Sequence, residues 1–197
     1  MPSVVQFGAG AIGRGLLGQL WSEAGYEVVF VEIDSALVEG LNTTHSYPLR
    51  LVDNDFTDER VIGPVRALHT DQAAAIQQAL GACAFAATAV HAENLPAVGS
   101  LLAQGLRRRG KAQPPLPVFV CENGVLPDLT LSHVRFLPTI VDRMVPPVKQ
   151  GELGVITEPH GILSYREDQC LRGIFSPPTS LIPISFQDYA GQWTKKL

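Results

Sequence analysis

SVVQFGAGAIGRGLLGQLWSEAGYEVVFVEID, residues 3–34, lays out three structural elements in one run. A short apolar stretch, Ser3 to Phe7, breaks into Gly8, Gly10 and Gly13. An amphipathic stretch follows to Gly25, and a second apolar run, Val28 to Ile33, carries Glu32 near its end. Strand, tight turn, helix and strand in that order make a βαβ unit. In such a unit Gly8 permits the turn, Gly10 lets backbone approach a diphosphate, and Gly13 lets the helix pack closely on the strand.

Ala9, Ala11 and Ile12 complete the turn. Its unpaired N–H groups and the positive end of the helix dipole favour an anion there. Three glycines can also form a plain loop. Here the strand before, the helix after and an acid about 20 residues on supply the context of a dinucleotide site. Glu32 is the better acid of the local pair, because Asp34 reads as the cap of the next helix. A carboxylate at Glu32 accepts hydrogen bonds from the ribose hydroxyls of NAD and repels the extra phosphate of NADP. Flavin dinucleotides share the fingerprint, and S-adenosylmethionine enzymes use a looser glycine turn.

The rest of the chain sets bounds. Its 197 residues suit one large α/β domain, or one domain and the start of another. At 46% hydrophobic and 17% charged it belongs with packed globular domains rather than disordered chains. A net charge of −4 gives no reason to expect a nucleic-acid or anionic-membrane partner. The basic run Arg107 to Arg109 with Lys111 closes a predicted helix, where it complements the dipole. Cys83, Cys121 and Cys170 are odd in number and widely spaced, so neither a disulfide framework nor a zinc site is expected. With no cleavable signal pattern and no spanning apolar segment, a reduced, cytoplasmic setting is expected.

Along the chain, Ser35 to Leu41 reads as a short helix. Ser46 to Val52 and Arg60 to Leu68 alternate loosely around the polar turn Asp53 to Glu59 and predict a β-hairpin inserted into the α/β wrap. Asp71 is placed to cap a helix through Leu80. Ala82 to Val90 predicts a parallel strand buried on both faces, and Glu93 to Arg109 a helix with Pro96 in its first turn. Val118 to Cys121 and Phe136 to Val141 are further strands. Past Gly151 short strands, Gly154 to Thr157 and Ile162 to Tyr165, look antiparallel and are not expected to extend the main sheet. The fold class is therefore α/β, a doubly wound, mostly parallel sheet with an inserted hairpin and a short antiparallel extension. Phe186 to Leu197 has helical spacing with no cap, which suggests that more chain should follow.

Ligands of open α/β sheets bind beyond the carboxyl ends of the strands. Three strand ends carry polar residues: Thr88 in Thr88-Ala89-Val90, Glu122-Asn123, and Asp142-Arg143. They would converge near the nicotinamide end of a dinucleotide, with Thr88, Ala89, Val90 and Asn123 as cofactor contacts and Asn123 also a catalytic candidate. Each has a structural alternative: Asp142-Arg143 as a buried ion pair, Asn123 as a turn residue. Of five scattered histidines, His91 lies nearest to this end.

FGAGAIGRG at 7–15, LN-x-x-HSY at 41–47, TAV at 88–90, CEN at 121–123 and VDRMVPP at 141–147 together resemble the mannitol-1-phosphate 5-dehydrogenases. That family sits within the polyol-specific long-chain dehydrogenases, beside mannitol 2-dehydrogenases and hexuronate reductases. The resemblance implies NAD-dependent, metal-independent oxidation of a sugar-alcohol phosphate to a ketose phosphate. It implies an amino-terminal Rossmann domain, here spanning 1–197, and a helical catalytic domain beginning near 186–197 and otherwise lacking from this chain. The family lysine of K-x-x-x-x-N-x-x-H is matched by Lys196 in WTKKL, with Lys195 its neighbour, while the Asn and His fall past Leu197. The expectation is a chain that binds NAD and turns over substrate negligibly alone. A stand-alone NAD-binding module, or a subunit completed by another chain, is the competing reading, and a flavin-linked oxidoreductase a third.

Overall fold

The structure, a computed structural model, describes residues 1–106, 109, 114–122 and 133–165. Strand β1 (Ser3–Phe7) is buried along nearly its whole length, and its side chains divide between two cores, Val4 on one face and Val5 on the other. The glycine turn leads into a helix over residues 11–23, π-wound across Gly13–Gly18 and closing as α1 (Gln19–Glu23). Strand β2 (Glu27–Glu32) returns parallel to β1, in register from Ser3↔Glu27 to Phe7↔Val31. Helix α2 (Ser35–Thr44) starts where the Asp34 carboxylate accepts the N–H groups of Ala36 (3.0 Å) and Leu37 (3.3 Å), as the cap reading expects.

Next comes the hairpin of β3 (Tyr47–Asp53) and β4 (Phe56–Ile62), antiparallel from Tyr47↔Ile62 to Asp53↔Phe56. The insertion is confirmed, but its second arm is corrected. Residues 60–68 are not one strand: β4 stops at Ile62, and β5 (Val65–His69) belongs to the main sheet, parallel to β2. The break falls at Gly63-Pro64, since Pro64 has no N–H to continue a ladder. The Ser22 hydroxyl holds the crossover by donating to the Gly63 carbonyl at 2.6 Å.

Helix α3 (Ala73–Ala82) begins without a side-chain cap, which corrects the expectation for Asp71. The Asp71 carboxylate instead lies 2.7 Å from His69 Nδ1, while His69 Nε2 is 3.0 Å from the Ile33 carbonyl. Strand β6 (Phe85–Thr88), a 3₁₀ turn at Ala92–Asn94, helix α4 (Leu95–Leu106), β7 (Leu116–Val120) and β8 (Val134–Asp142) complete the wrap.

The main sheet contains six parallel strands in the order β8-β7-β6-β1-β2-β5, which is the doubly wound order once the hairpin is set aside. The two late strands part company with expectation. β9 (Val155–Thr157) pairs parallel with β3 and makes the hairpin a three-stranded sheet. β10 (Ile162–Tyr165) is antiparallel, as read, but it does extend the main sheet, alongside β8. Tyr165 decides that placement: its ring packs edge-on against Phe119 at 5.1 Å, burying it in the main core.

Trp21 and Phe85 (4.9 Å), then Phe85 and Phe119 (5.5 Å), form the aromatic spine of the core beneath α1. Buried Gln6 is satisfied there, accepting from the Trp21 indole N–H at 3.1 Å.

Donation from the imidazole to the Asp71 carboxylate raises the His69 pKa above its ordinary value. A raised folded-state pKa contributes stability that is complete below the unfolded value, about 6.5, and fades as pH rises through the folded value. Asp71→Asn is expected to lower the His69 titration midpoint, as followed by NMR of the imidazole; an unmoved midpoint would show that the contact does not act.

Candidate functional site at the glycine turn

The connections from β1 and β6 leave toward opposite edges of the sheet, so the crevice between these strands is its switch point. Gly8 ends β1 with φ +84°, a left-handed conformation, and its N–H donates to Val31 O at 2.9 Å. A Cβ on Gly8 would lie 2.2 Å from Ala89 O, and one on Gly13 would lie 2.1 Å from Gly8 O. Both glycines are therefore demanded by backbone contact. Gly10 is different: it is exposed, and a Cβ there would meet nothing within 4 Å. The helical ladder is entered by Arg14 N–H on Gly10 O (3.0 Å), so the turn around Ala11, Ile12 and Gly13 is where a helix start leaves donors over.

Ala9 is held from both sides. Its N–H donates to Glu32 Oε2 at 2.7 Å, and its carbonyl accepts from Arg14 Nε at 2.5 Å. The second Glu32 oxygen accepts from the N–H groups of Ile33 (2.7 Å) and Asp34 (3.2 Å). The Glu32 carboxylate thus faces the glycine turn. Asp34 is committed elsewhere, one oxygen capping α2 and the other accepting Gly151 N–H at 2.7 Å.

At the end of β6, Ala89 N–H donates to Phe7 O (2.9 Å) and Val90 N–H to the Glu122 carboxylate (2.7 Å). Thr88 is 1% exposed, and its hydroxyl has no hydrogen-bond partner among the described residues. A buried polar atom left over at the switch point is a place for a ligand group. Beside it opens a cleft of about 390 Å³, lined among others by Ile12, Ala89, His91, Glu122 and Asp142.

Asp142 and Arg143 do not form the buried ion pair considered above. Asp142 is exposed, whereas Arg143 is buried and donates to Gly15 O (2.6 Å), Gln19 Oε1 (2.7 Å) and His160 O (3.0 Å). Burial lowers its pKa to about 10, so it stays cationic at neutral pH. Cys83 and Cys121 are buried, and burial pushes both thiols up, that of Cys83 to about 11, which fits the reading of both as small apolar residues. Among the described residues no cluster of His, Cys, Asp or Glu is placed to hold a metal ion. Nor is any helix among them long and apolar enough to cross a membrane.

Gly8, Ala9, Gly10, Ala11, Ile12, Gly13, Glu32, Thr88, Ala89 and Val90 therefore gather around one crevice. Asn123, Lys195 and Lys196 lie outside the described residues. Two contributors escaped the sequence reading: Arg14, and Glu122 as the anchor of Val90. A single charge within the run Ile12 to Trp21, otherwise apolar but for Gln19, was the available signal for Arg14.

A model of the mannitol dehydrogenase Rossmann domain matches residues 2–127. The chain belongs to that family. It is 34% identical over 174 residues to the mannitol-1-phosphate 5-dehydrogenase of Brevibacillus brevis, covering 79% of this chain and 45% of the relative. It is 36% identical over 165 residues to that of Paenarthrobacter aurescens, covering 75% and 43%. The chain thus spans about half the length of these curated relatives. Among solved structures, octopine dehydrogenase in complex with NADH and L-arginine superposes with TM-score 0.57 at 13% identity, over 80% of this chain and 39% of that one. At that identity the likeness is one of fold.

The glycines separate fold from binding. Gly8→Val drives a side chain into Ala89 O and is expected to abolish cooperative unfolding. Gly10→Val enters open space and should leave the thermal midpoint within a few degrees while removing dinucleotide binding. Equal melting behaviour of the two variants would contradict this division.

Proposed function

We propose that residues 1–197 form the NAD-binding domain of a mannitol-1-phosphate 5-dehydrogenase-type enzyme, which interconverts a sugar-alcohol phosphate and a ketose phosphate. The observation that carries the reading is the Ala9–Glu32 contact: an exposed glycine turn at a helix start, with a carboxylate held against it. Membership of the family and the NADH complex of octopine dehydrogenase support the cofactor class.

In this reading the N–H groups at the turn receive the diphosphate, and the helix start adds its positive potential. Glu32 keeps one lone pair, on Oε2, for a ribose hydroxyl beyond those its three N–H donors occupy, and its charge disfavours a 2′-phosphate. The Thr88 hydroxyl offers an unused donor at the switch point, and Glu122 fixes the backbone at Val90. NAD, when bound, supplies the hydride acceptor. Lys196 takes the alcohol proton, as the resemblance implies, and Asn123 is the second catalytic candidate of the sequence. A lysine does this best when burial tunes it towards neutral pH and donors stabilise the developing oxyanion. Residues 1–197 match less than half of the length of these relatives, so alone they are expected to bind NAD with negligible polyol-phosphate turnover.

Calorimetric titration with NAD and NADP tests the reading. The unaltered chain should prefer NAD, and Glu32→Ala should weaken NAD by about tenfold, some 1.4 kcal/mol, and narrow the preference. Tighter binding of NADP by the unaltered chain would overturn it.

A further inference from the structure

Arg14 is 1% exposed, one of the largest fully buried side chains in the molecule. Among the described residues it forms no ion pair with a carboxylate. Its guanidinium is spent on three main-chain carbonyls: Nε on Ala9 O (2.5 Å), and Nη1 on Glu152 O (2.6 Å) and Leu153 O (2.5 Å). One side chain thereby joins the glycine turn to a segment about 140 positions away. That segment is latched at a second point, Gly151 N–H on the Asp34 carboxylate (2.7 Å), two residues beyond Glu32.

We infer that Arg14 is a positioning residue for the diphosphate, holding the Ala9 peptide against Glu32 and placing a buried positive charge beneath the turn. The inference rests on the dinucleotide reading above. A buried guanidinium without a carboxylate partner costs more than an apolar side chain of the same volume, so packing alone does not account for it. Its planar fork reaches carbonyls on two separate segments at once, which the single nitrogen of lysine cannot reproduce. The two peptides flanking the Ala9 Cα are then fixed by opposite charges, Glu32 on the Ala9 N–H and Arg14 on the Ala9 carbonyl. The turn meets its ligand with its backbone already set, which lowers the ordering cost of binding. Burial lowers the Arg14 pKa while Tyr47, Glu32, Glu152 and Asp34 oppose the fall. With those carboxylates at longer range, the charge remains available to an anion at the turn.

The test compares NAD affinity in Arg14→Lys, Arg14→Met and Tyr47→Phe by titration well below every melting midpoint. Tyr47→Phe removes a buried bond from the same stretch, Tyr47 Oη to Arg14 O at 2.7 Å, without touching the turn. It should lower the melting midpoint and leave the Kd within twofold. Arg14→Lys should raise the Kd at least tenfold, and Arg14→Met further, so that lysine restores part of what methionine loses. If Arg14→Met does not fold, Arg14→Lys decides. A Kd within twofold of the unaltered chain in Arg14→Lys, or Kd values that merely follow the melting midpoints, overturns the inference and leaves the NAD reading standing. No NAD binding by the unaltered chain overturns both.

Discussion

Gly8, Gly13 and Ala89 meet so closely at the end of β1 that neither glycine has room for a Cβ. The contact brings the first strand, the first helix and the end of β6 to one point, where the sheet changes winding direction. Once these three are fixed, Gly10 is forced outward as the exposed floor of a crevice, and the end of β2 delivers Glu32 to its wall. The fold and the proposed anion site are one geometric arrangement.

The same region is stitched by two buried cations. Arg14 anchors the turn to Glu152 and Leu153, and Arg143 anchors residues 15 and 19 to His160. Carbonyl oxygens, rather than carboxylates, take up these charges, so neither arginine becomes part of a neutral pair. The segment after β8 is thereby bound across the first helix, and β9 and β10 are carried into place on either side of it. This is how residues remote in sequence come to bear on the shape of a turn at the amino terminus.

The glycine turn, the βαβ order and the inserted hairpin were legible because each is a local demand. A positive φ calls for Gly8, a buried parallel strand for an unbroken apolar run, and a helix start for Asp34. What stayed hidden was the choice among distant partners. Val155 and Thr157, or Leu163 and Tyr165, alternate in the same way whichever strand they join. Residues 60–68 kept their alternation through Gly63-Pro64, although the chain changes sheets there. Asp71 carries a capping residue type but is claimed by His69. Arg14 offers only a lone charge in a mostly apolar run, and nothing local to it names its three carbonyl partners.

The central claim is that the turn from Ala9 to Gly13 receives a dinucleotide beside Glu32. An NMR titration of the isotope-labelled chain with NAD addresses it most directly. Saturable shifts of the amides of residues 9–13, with those of Ala89 and Val90, are predicted. Saturable shifts confined to other parts of the molecule, with these amides unmoved, would contradict the account.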